Sequence, residues 1–144
     1  MSVNLCWDDD AKSIVRCCFE GYWTWEDFDA SYRKIDMMRR EVDYPIHMVL
    51  DLSRTTYVPQ STLEYLQEFA RRHVPNTGLN IIVSRHPLIS RLYIIAKRLY
   101  FGFESSFQLV SSFDKACDII EELREMVDTI ALTSFASREL LPEC

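Results

Sequence analysis

Two short apolar runs constrain the fold of this chain more than any other feature of its sequence. Residues 46–52 read IHMVLDL and residues 79–84 read LNIIVS. A run of this length without polar alternation is typical of a strand that is covered on both faces, as in a parallel sheet between layers of helices. The segments around these runs show the spacing of amphipathic helices. The pattern therefore predicts an α/β domain.

The remaining elements complete a β-β-α-β-α-β-α-β-α order. Residues 3–7 and 13–20 are β-prone and flank a polar turn, which predicts an N-terminal hairpin. Thr24 and Asp27 have the spacing of a capping box, so a first helix should begin there. Further elements are predicted as helices near residues 63–73, 87–100 and 113–127 and a last strand at 106–110. Right-handed crossovers would make the last three strands parallel, which gives a mixed, mostly parallel sheet.

The predicted domain occupies residues 1–127. Residues 128–144 are interpreted as a C-terminal tail or short helix that packs on the domain or on a partner. This tail contains apolar residues, among them Ile130, Leu132 and Phe135.

Composition and motifs exclude several function classes. The net charge of −6, from 22 acidic and 16 basic residues, disfavours a nucleic-acid partner. The three glycines form no phosphate-binding loop, and the five cysteines and three histidines lack the spacing of metal ligands, so no cofactor or metal is expected. The N-terminus lacks the features of a signal peptide, and no stretch reaches the roughly 18 apolar residues of a transmembrane segment. We expect a cytoplasmic protein with reduced thiols.

Three segments resemble one known family. They are Val49–Ser53 (VLDLS), Ile82–Leu88 (IVSRHPL) and Phe107–Ala116 (FQLVSSFDKA). Together with the element order, they resemble the STAS domain of anti-sigma factor antagonists, and more closely the divergent STAS-like proteins that occur as single bacterial domains. The resemblance implies a non-enzymatic binding or regulatory module. Its partner would be a protein or a small amphiphilic ligand beside the third helix.

Ser61 is the residue that the resemblance marks for phosphorylation. In the antagonists, an Asp-Ser-Ser-Gly motif carries the phosphorylated serine, and the corresponding stretch here is Pro59-Gln60-Ser61-Thr62. Ser61 matches the modified position, but the aspartate and the glycine of the motif are absent. A second interpretation is that Ser61 and Glu64 form a capping box for the second helix. We favour the cap because it explains the serine without a partner.

The carboxyl ends of the parallel strands form the candidate ligand- or anion-binding site, since ligands of open α/β sheets bind there. The residues are Asp51, Ser53, Arg54, Ser84, Arg85 and His86. In the alternative function, a small-molecule enzyme, Asp51 and His86 would form an acid-base pair and the two arginines would hold an anion. A pocket of about 300 Å³ around all four side chains would favour the enzyme. Helix caps and turns explain the same residues without a ligand.

The third helix has two apolar stripes, which is more than one sheet face requires. One stripe, Leu88, Leu92, Ile95 and Leu99, is enough for the sheet. The second stripe, Ile89, Tyr93, Ala96 and Tyr100, is interpreted as deeper core, as a partner surface or as a weak membrane contact, with deeper core or a self-contact favoured. The predicted interface comprises Ile89, Tyr93, Ile94, Tyr100 and Phe101. A two-fold homodimer through this surface, with help from the tail, is predicted. The competing possibility is that the tail folds back over the helix.

Overall fold

The computed structural model of the chain describes the backbone of residues 3–8, 12–55, 58–71, 77–100, 103 and 107–140. It describes the side chains of these residues apart from 69–71, 77 and 127–140. The strands are β1 (Val3–Trp7), β2 (Ile14–Phe19), β3 (Ile46–Asp51), β4 (Thr77–Val83) and β5 (Gln108–Val110). The helices are α1 (Trp25–Arg40), α2 (Thr62–Arg71), α3 (Pro87–Leu99) and α4 (Phe113–Leu140). The predicted α/β class is confirmed, and the described elements alternate between strand and helix in a way that is compatible with the predicted order.

The five strands form one sheet in which the spatial order follows the chain order, β1-β2-β3-β4-β5. The β1–β2 hairpin is antiparallel and the last three strands, β3, β4 and β5, are parallel, as predicted. Strand β2 is also parallel to its neighbour β3. Because each crossover moves one strand in the same direction, right-handed connections place α1, α2 and α3 on one face of the sheet. Helix α4 follows the last strand and packs on the other face.

The larger core lies between the sheet and the three crossover helices. Every residue of β3 is buried, as expected for the central strand of a covered sheet. The aromatic side chains of Phe19, Trp23, Trp25 and Phe28 form a chain of ring contacts at the start of α1. The predicted capping box is present, because the Thr24 hydroxyl accepts the Asp27 N–H and the Asp27 carboxylate accepts the Thr24 N–H.

A smaller core fills the opposite face. Ala116 and Ile120 of α4 pack on alternate strand residues, with the partly buried Ile119 beside them; the strand residues are Ile14, Val49, Ile81 and Val83. Helix α4 is 28 residues long and continues to Leu140. The predicted domain boundary at residue 127 therefore falls within this helix. In the described part of the chain, no helix has both the length and the apolar character needed to cross a membrane.

Arg39, the residue before the last of α1, is a buried cation. Its side chain is fully buried. Its Nε and Nη2 atoms donate to the carbonyl of Ile46, at 3.3 and 2.8 Å. A long cation at the end of α1 thus supplies the donors that the first carbonyl of a buried strand requires.

A buried histidine on the neighbouring strand leaves no space for a side chain at position 78, which is a glycine. His47 Nδ1 accepts the Leu79 N–H at 2.9 Å, which holds the ring against β4. A Cβ atom on Gly78 would lie 2.4 Å from that nitrogen. The position therefore excludes every residue with a side chain unless the His47 ring moves.

We expect Gly78→Ala to lower the free energy of unfolding by about 1–3 kcal/mol, because the methyl group overlaps the His47 ring. Urea denaturation measures this cost. In a His47→Ala background the same substitution should cost much less, since the overlap is gone. An equal cost in both backgrounds would show that the ring is not the cause.

Candidate functional site

Asp51 is the most strongly bound of the predicted site residues. It ends β3, is buried, and accepts four hydrogen bonds. Its Oδ1 accepts the Ser53 N–H and hydroxyl at 3.0 and 2.5 Å. Its Oδ2 accepts Arg16 Nε and Nη2 at 3.1 and 2.5 Å. The carboxylate is thus fully engaged within the protein.

These contacts set the ionisation of Asp51. Burial alone would favour the neutral acid, but the hydrogen bonds from Ser53 and Arg16 outweigh it and hold the pKa of Asp51 below its ordinary value. The buried group is consequently a carboxylate with a fixed counterion. To act as a general base, Asp51 would first have to release these hydrogen-bond partners before it could accept a proton. The arrangement therefore disfavours Asp51 as a general base.

Arg16 is the functional partner that sequence reasoning missed. It lies on β2 opposite Val49, and its guanidinium carbon lies 3.9 Å from the centre of the Phe113 ring on α4. A cation over an aromatic face is attracted to it. The signal in the sequence is that Arg16 is a single charged residue within the apolar run of β2. The sequence alone does not show that this arginine faces Asp51.

Arg54 and Glu20 form a second ion pair beside the first, with 2.8 Å between Nη1 and Oε1. The two pairs line a cleft of about 130 Å³, together with Cys18 and Phe19. Each arginine has an acidic partner, so the cleft has no excess positive charge for an anion. Arg85 and His86 do not line it.

The other predicted site residues act as caps and turn formers. Ser84 Oγ accepts the His86 N–H at 3.0 Å, and His86 Nδ1 accepts the Leu88 N–H at 3.1 Å as the N-cap of α3. Arg85 Nε donates to the Ser111 carbonyl at 3.2 Å. No hydrogen bond joins Asp51 to His86. The cleft lined by Asp51 and Arg54 does not include Arg85 or His86. The alternative enzyme function stays a prediction.

Ser61 precedes α2, but it does not cap that helix in the predicted way. Its φ of 64° lies in the left-handed region, whereas a capping serine has extended backbone. Its carbonyl accepts the Tyr65 N–H, and its hydroxyl makes no hydrogen bond among the described residues. The capping interpretation is therefore wrong. The side chain is exposed, and its phosphorylation remains a prediction.

The second stripe of α3 faces the core. Ile89 and Ala96 of that stripe are buried, as the deeper-core interpretation predicts and contrary to the predicted interface, and the Tyr93 hydroxyl donates to the Phe107 carbonyl at 2.9 Å. Tyr100 is half-buried, and Phe101 lies outside the described residues. The small Ala96 side chain allows the helix to approach the sheet closely. This close approach favours the stripe that contains Ala96 as the one that faces the sheet.

The outer surface of α3 is apolar and cationic. Its exposed apolar side chains, with their exposed fractions, are Leu88 (45%), Ile94 (48%), Ile95 (42%) and Leu99 (63%). Of the predicted interface residues, only Ile94 is among them. The helix also carries Arg91, Lys97 and Arg98 and contains no acidic residue. Neither Arg91 nor Arg98 forms an ion pair with any residue that the structure describes.

Known proteins give no further guidance to the site. No protein-family model matches the chain, and no curated protein or solved structure matches it. The STAS-like family therefore stays a prediction from the three segments above. Within the described residues, no three histidine, cysteine or acidic side chains come together as metal ligands.

We expect Asp51→Asn to lower the free energy of unfolding by about 1–3 kcal/mol at neutral pH, because Arg16 loses its counterion. Since the pKa of Asp51 is lowered by folding, its contribution is complete above the unfolded pKa of about 3.9 and is lost as the pH falls through the lower, folded pKa. Denaturation from pH 7 to pH 2 should show the two proteins converging. As the control, Glu20→Gln removes an exposed pair and should cost less than about 1 kcal/mol. A gap that stays constant down to pH 2 would contradict the prediction.

The backbone of Ser61 predicts opposite effects of two substitutions. Ser61→Gly should raise the free energy of unfolding by up to about 1 kcal/mol, because glycine adopts a positive φ without strain. Ser61→Thr should lower it by about 1 kcal/mol, because a β-branched residue is disfavoured there. Thermal or urea denaturation distinguishes these signs. A neutral threonine and a destabilising glycine would restore the capping interpretation.

Proposed function

We propose that this chain is a non-enzymatic binding and regulatory module of the STAS-like type, and that α3 is its docking surface. The observation that carries the proposal is the exposed seam of Leu88, Leu92, Ile95 and Leu99, of which Leu92 is half-buried. These residues are separated by four, three and four positions. That is the spacing with which one helix packs against another along its length.

The proposed occupant is an amphipathic helix with acidic flanks, supplied by a partner protein. Arg91 and Arg98 are seven positions apart and therefore lie on the same side of the seam. Their charges have no acidic partner in the described structure. Acidic residues along the partner helix would complement them and fix its direction. The apolar seam would supply most of the binding free energy.

A second copy of the chain fits this surface less well. Two α3 helices packed around a two-fold axis would bring Arg91 and Arg98 of one copy near those of the other, which costs free energy. The acidic residues on α4 are a better match in charge. However, α3 and α4 lie on opposite faces of the sheet, so contacts between them would form an open chain of molecules rather than a closed dimer. The predicted homodimer is accordingly the competing outcome.

A pair of synthetic peptides tests the proposal. Both are three-heptad helices with leucine at the packing positions, and the flanking positions carry glutamate in one and lysine in the other. By fluorescence anisotropy at low salt, the glutamate peptide should bind roughly 10-fold or more tightly than the lysine peptide, and the difference should shrink as salt is added. Ile95→Glu should abolish binding. Met37→Glu is the matched control on α1, where the side chain is 63% exposed, and it should leave binding unchanged.

Three results would contradict the proposal. They are no binding of the glutamate peptide, equal binding of both peptides, and equal loss of binding in the two variants. Light scattering of the unmodified chain addresses the second copy. A dimer that Ile95→Glu converts to a monomer would replace the partner helix with a second copy of this chain.

A further inference from the structure

Strand β1 forms one edge of the sheet, and among the described strands it pairs only with β2. The strand at the other edge, β5, is three residues long. A very short edge strand is one device with which proteins prevent pairing between sheets, and charges, prolines and bulges are others. Strand β1 has five residues in an unbroken register with β2, and it contains neither a charged residue nor a proline. Its edge therefore lacks these protections.

The hydrogen bonds on the inner side of β1 identify the backbone groups that face outward. The Asp8 N–H donates to the carbonyl of Ile14 at 2.9 Å, which continues the β1–β2 ladder by one residue. Because hydrogen-bonded pairs alternate along an antiparallel ladder, the even-numbered residues of β1 bond to β2. The N–H and carbonyl groups of the odd-numbered residues therefore point away from the sheet. These residues are Val3, Leu5 and Trp7, and no described residue bonds to their outward groups.

The three outward-facing residues are placed symmetrically about Leu5, so a second β1 strand can satisfy all of them at once. In an antiparallel pairing centred on this residue, Leu5 lies opposite Leu5 of the second copy, and Val3 lies opposite Trp7 of the second copy. Each such pair exchanges two hydrogen bonds, so the three pairs form six. No outward N–H or carbonyl group of β1 is then left without a partner.

The side chains of β1 match in the same register. Val3 is buried, and Leu5 and Trp7 are half-buried on the face of the sheet that α1 covers. In the pairing described, these apolar side chains meet their counterparts on that face. On the other face, the exposed Asn4 lies opposite the exposed Cys6 of the second copy, and neither is charged. Cross-strand pairs of apolar and aromatic side chains stabilise a sheet.

We propose that two copies of this chain join through their β1 edges and form one continuous sheet around a two-fold axis at Leu5. The nearest described charge is that of Asp8, three residues from the axis. The two copies of Asp8 would be about 20 Å apart at the rise of an antiparallel strand, which exceeds the Debye length of about 8 Å at physiological salt. The β1 edge is a different surface from the α3 interface predicted above. It does not depend on the docking function proposed for α3.

A double substitution on the exposed face of β1 tests the proposal. In Asn4→Glu with Cys6→Glu, the carboxylates of one copy would lie directly opposite those of the other, which destabilises the pairing. Within one chain, position 6 is opposite Arg16, so the new charge there is compensated. Sedimentation equilibrium should show that the unmodified chain is a dimer. The dissociation constant of the double variant should be roughly 10-fold or more higher.

Two controls separate this interface from other causes. Asn4→Gln with Cys6→Ser changes the same positions without adding charge, and it should leave the dimer intact. Ile95→Glu changes the outer surface of α3 and should also leave the dimer intact. Urea denaturation at a fixed protein concentration shows whether each variant is folded.

A disulfide measures the register of the two strands. In a Cys18→Ser background, which removes the thiol opposite position 4 within the chain, Asn4→Cys should form a bond with Cys6 of the second copy. Directly opposite residues of an antiparallel pair have the Cα separation that a disulfide requires. Diamide is the oxidant and takes up the two hydrogen atoms. Peptide mass spectrometry should find the bond between positions 4 and 6 of different copies, and the Cys18→Ser parent should lack it.

Three results would overturn the proposal. They are a chain that stays monomeric at the highest concentration at which it remains dissolved, a dimer that the double glutamate variant leaves unchanged, and a dimer in which oxidation does not join positions 4 and 6. If the double glutamate variant does not fold, the disulfide decides the question. A dimer that Ile95→Glu dissociates would assign the contact to α3 and would also overturn it.

Discussion

The order of the strands in the sheet determines where the helices lie and which of their surfaces are exposed. Because the sheet runs β1-β2-β3-β4-β5 in chain order, all three crossover helices lie on one face, and each has at most two helical neighbours. Helix α3 is the last of the three and packs beside α2, and within the described residues no other helix covers its outer surface. The exposed seam is therefore a consequence of topology. The same layer also contains an apolar pocket, which lies where all three helices meet the carboxyl ends of the strands.

Helix α4 covers the opposite face, and Arg16 of an ion pair within the sheet contacts this helix at the carboxyl edge. Asp51 is buried between β2 and the turn after β3, and Arg16 neutralises it while lying over the Phe113 ring. The carboxyl edge of the sheet, where α/β proteins often bind ligands, here contains the contact between Arg16 and the Phe113 ring of α4. This arrangement accounts for the absence of an assembled acid-base pair among the predicted strand-end residues. The exposed apolar side chains of α3 lie on the helical face of the sheet instead.

Periodicity predicts the elements of this fold well, but it does not predict which neighbours they meet. The continuous apolar run of β3 and the capping box at Thr24 identify their elements from local chemistry alone. The two stripes of α3 are both apolar, so their spacing is uninformative about which one faces the sheet; close packing at Ala96 favours the stripe that contains it. The pairing of Arg16 with Asp51 depends on strand register, and the positive φ of Ser61 depends on the loop before α2. Neither has a signature in the local sequence.

The proposed docking surface requires that the outer side of α3 is exposed to solvent in the isolated chain. Methyl NMR of isoleucine with a soluble paramagnetic agent, at a concentration where the chain is monomeric, measures this most directly. We expect strong broadening of the Ile94 and Ile95 methyl signals and protection of those of Ile81 and Ile120, which are fully buried on the opposite face. Protection of Ile95 equal to that of Ile81 would show that another part of the chain covers α3 and that the proposed docking surface is not available.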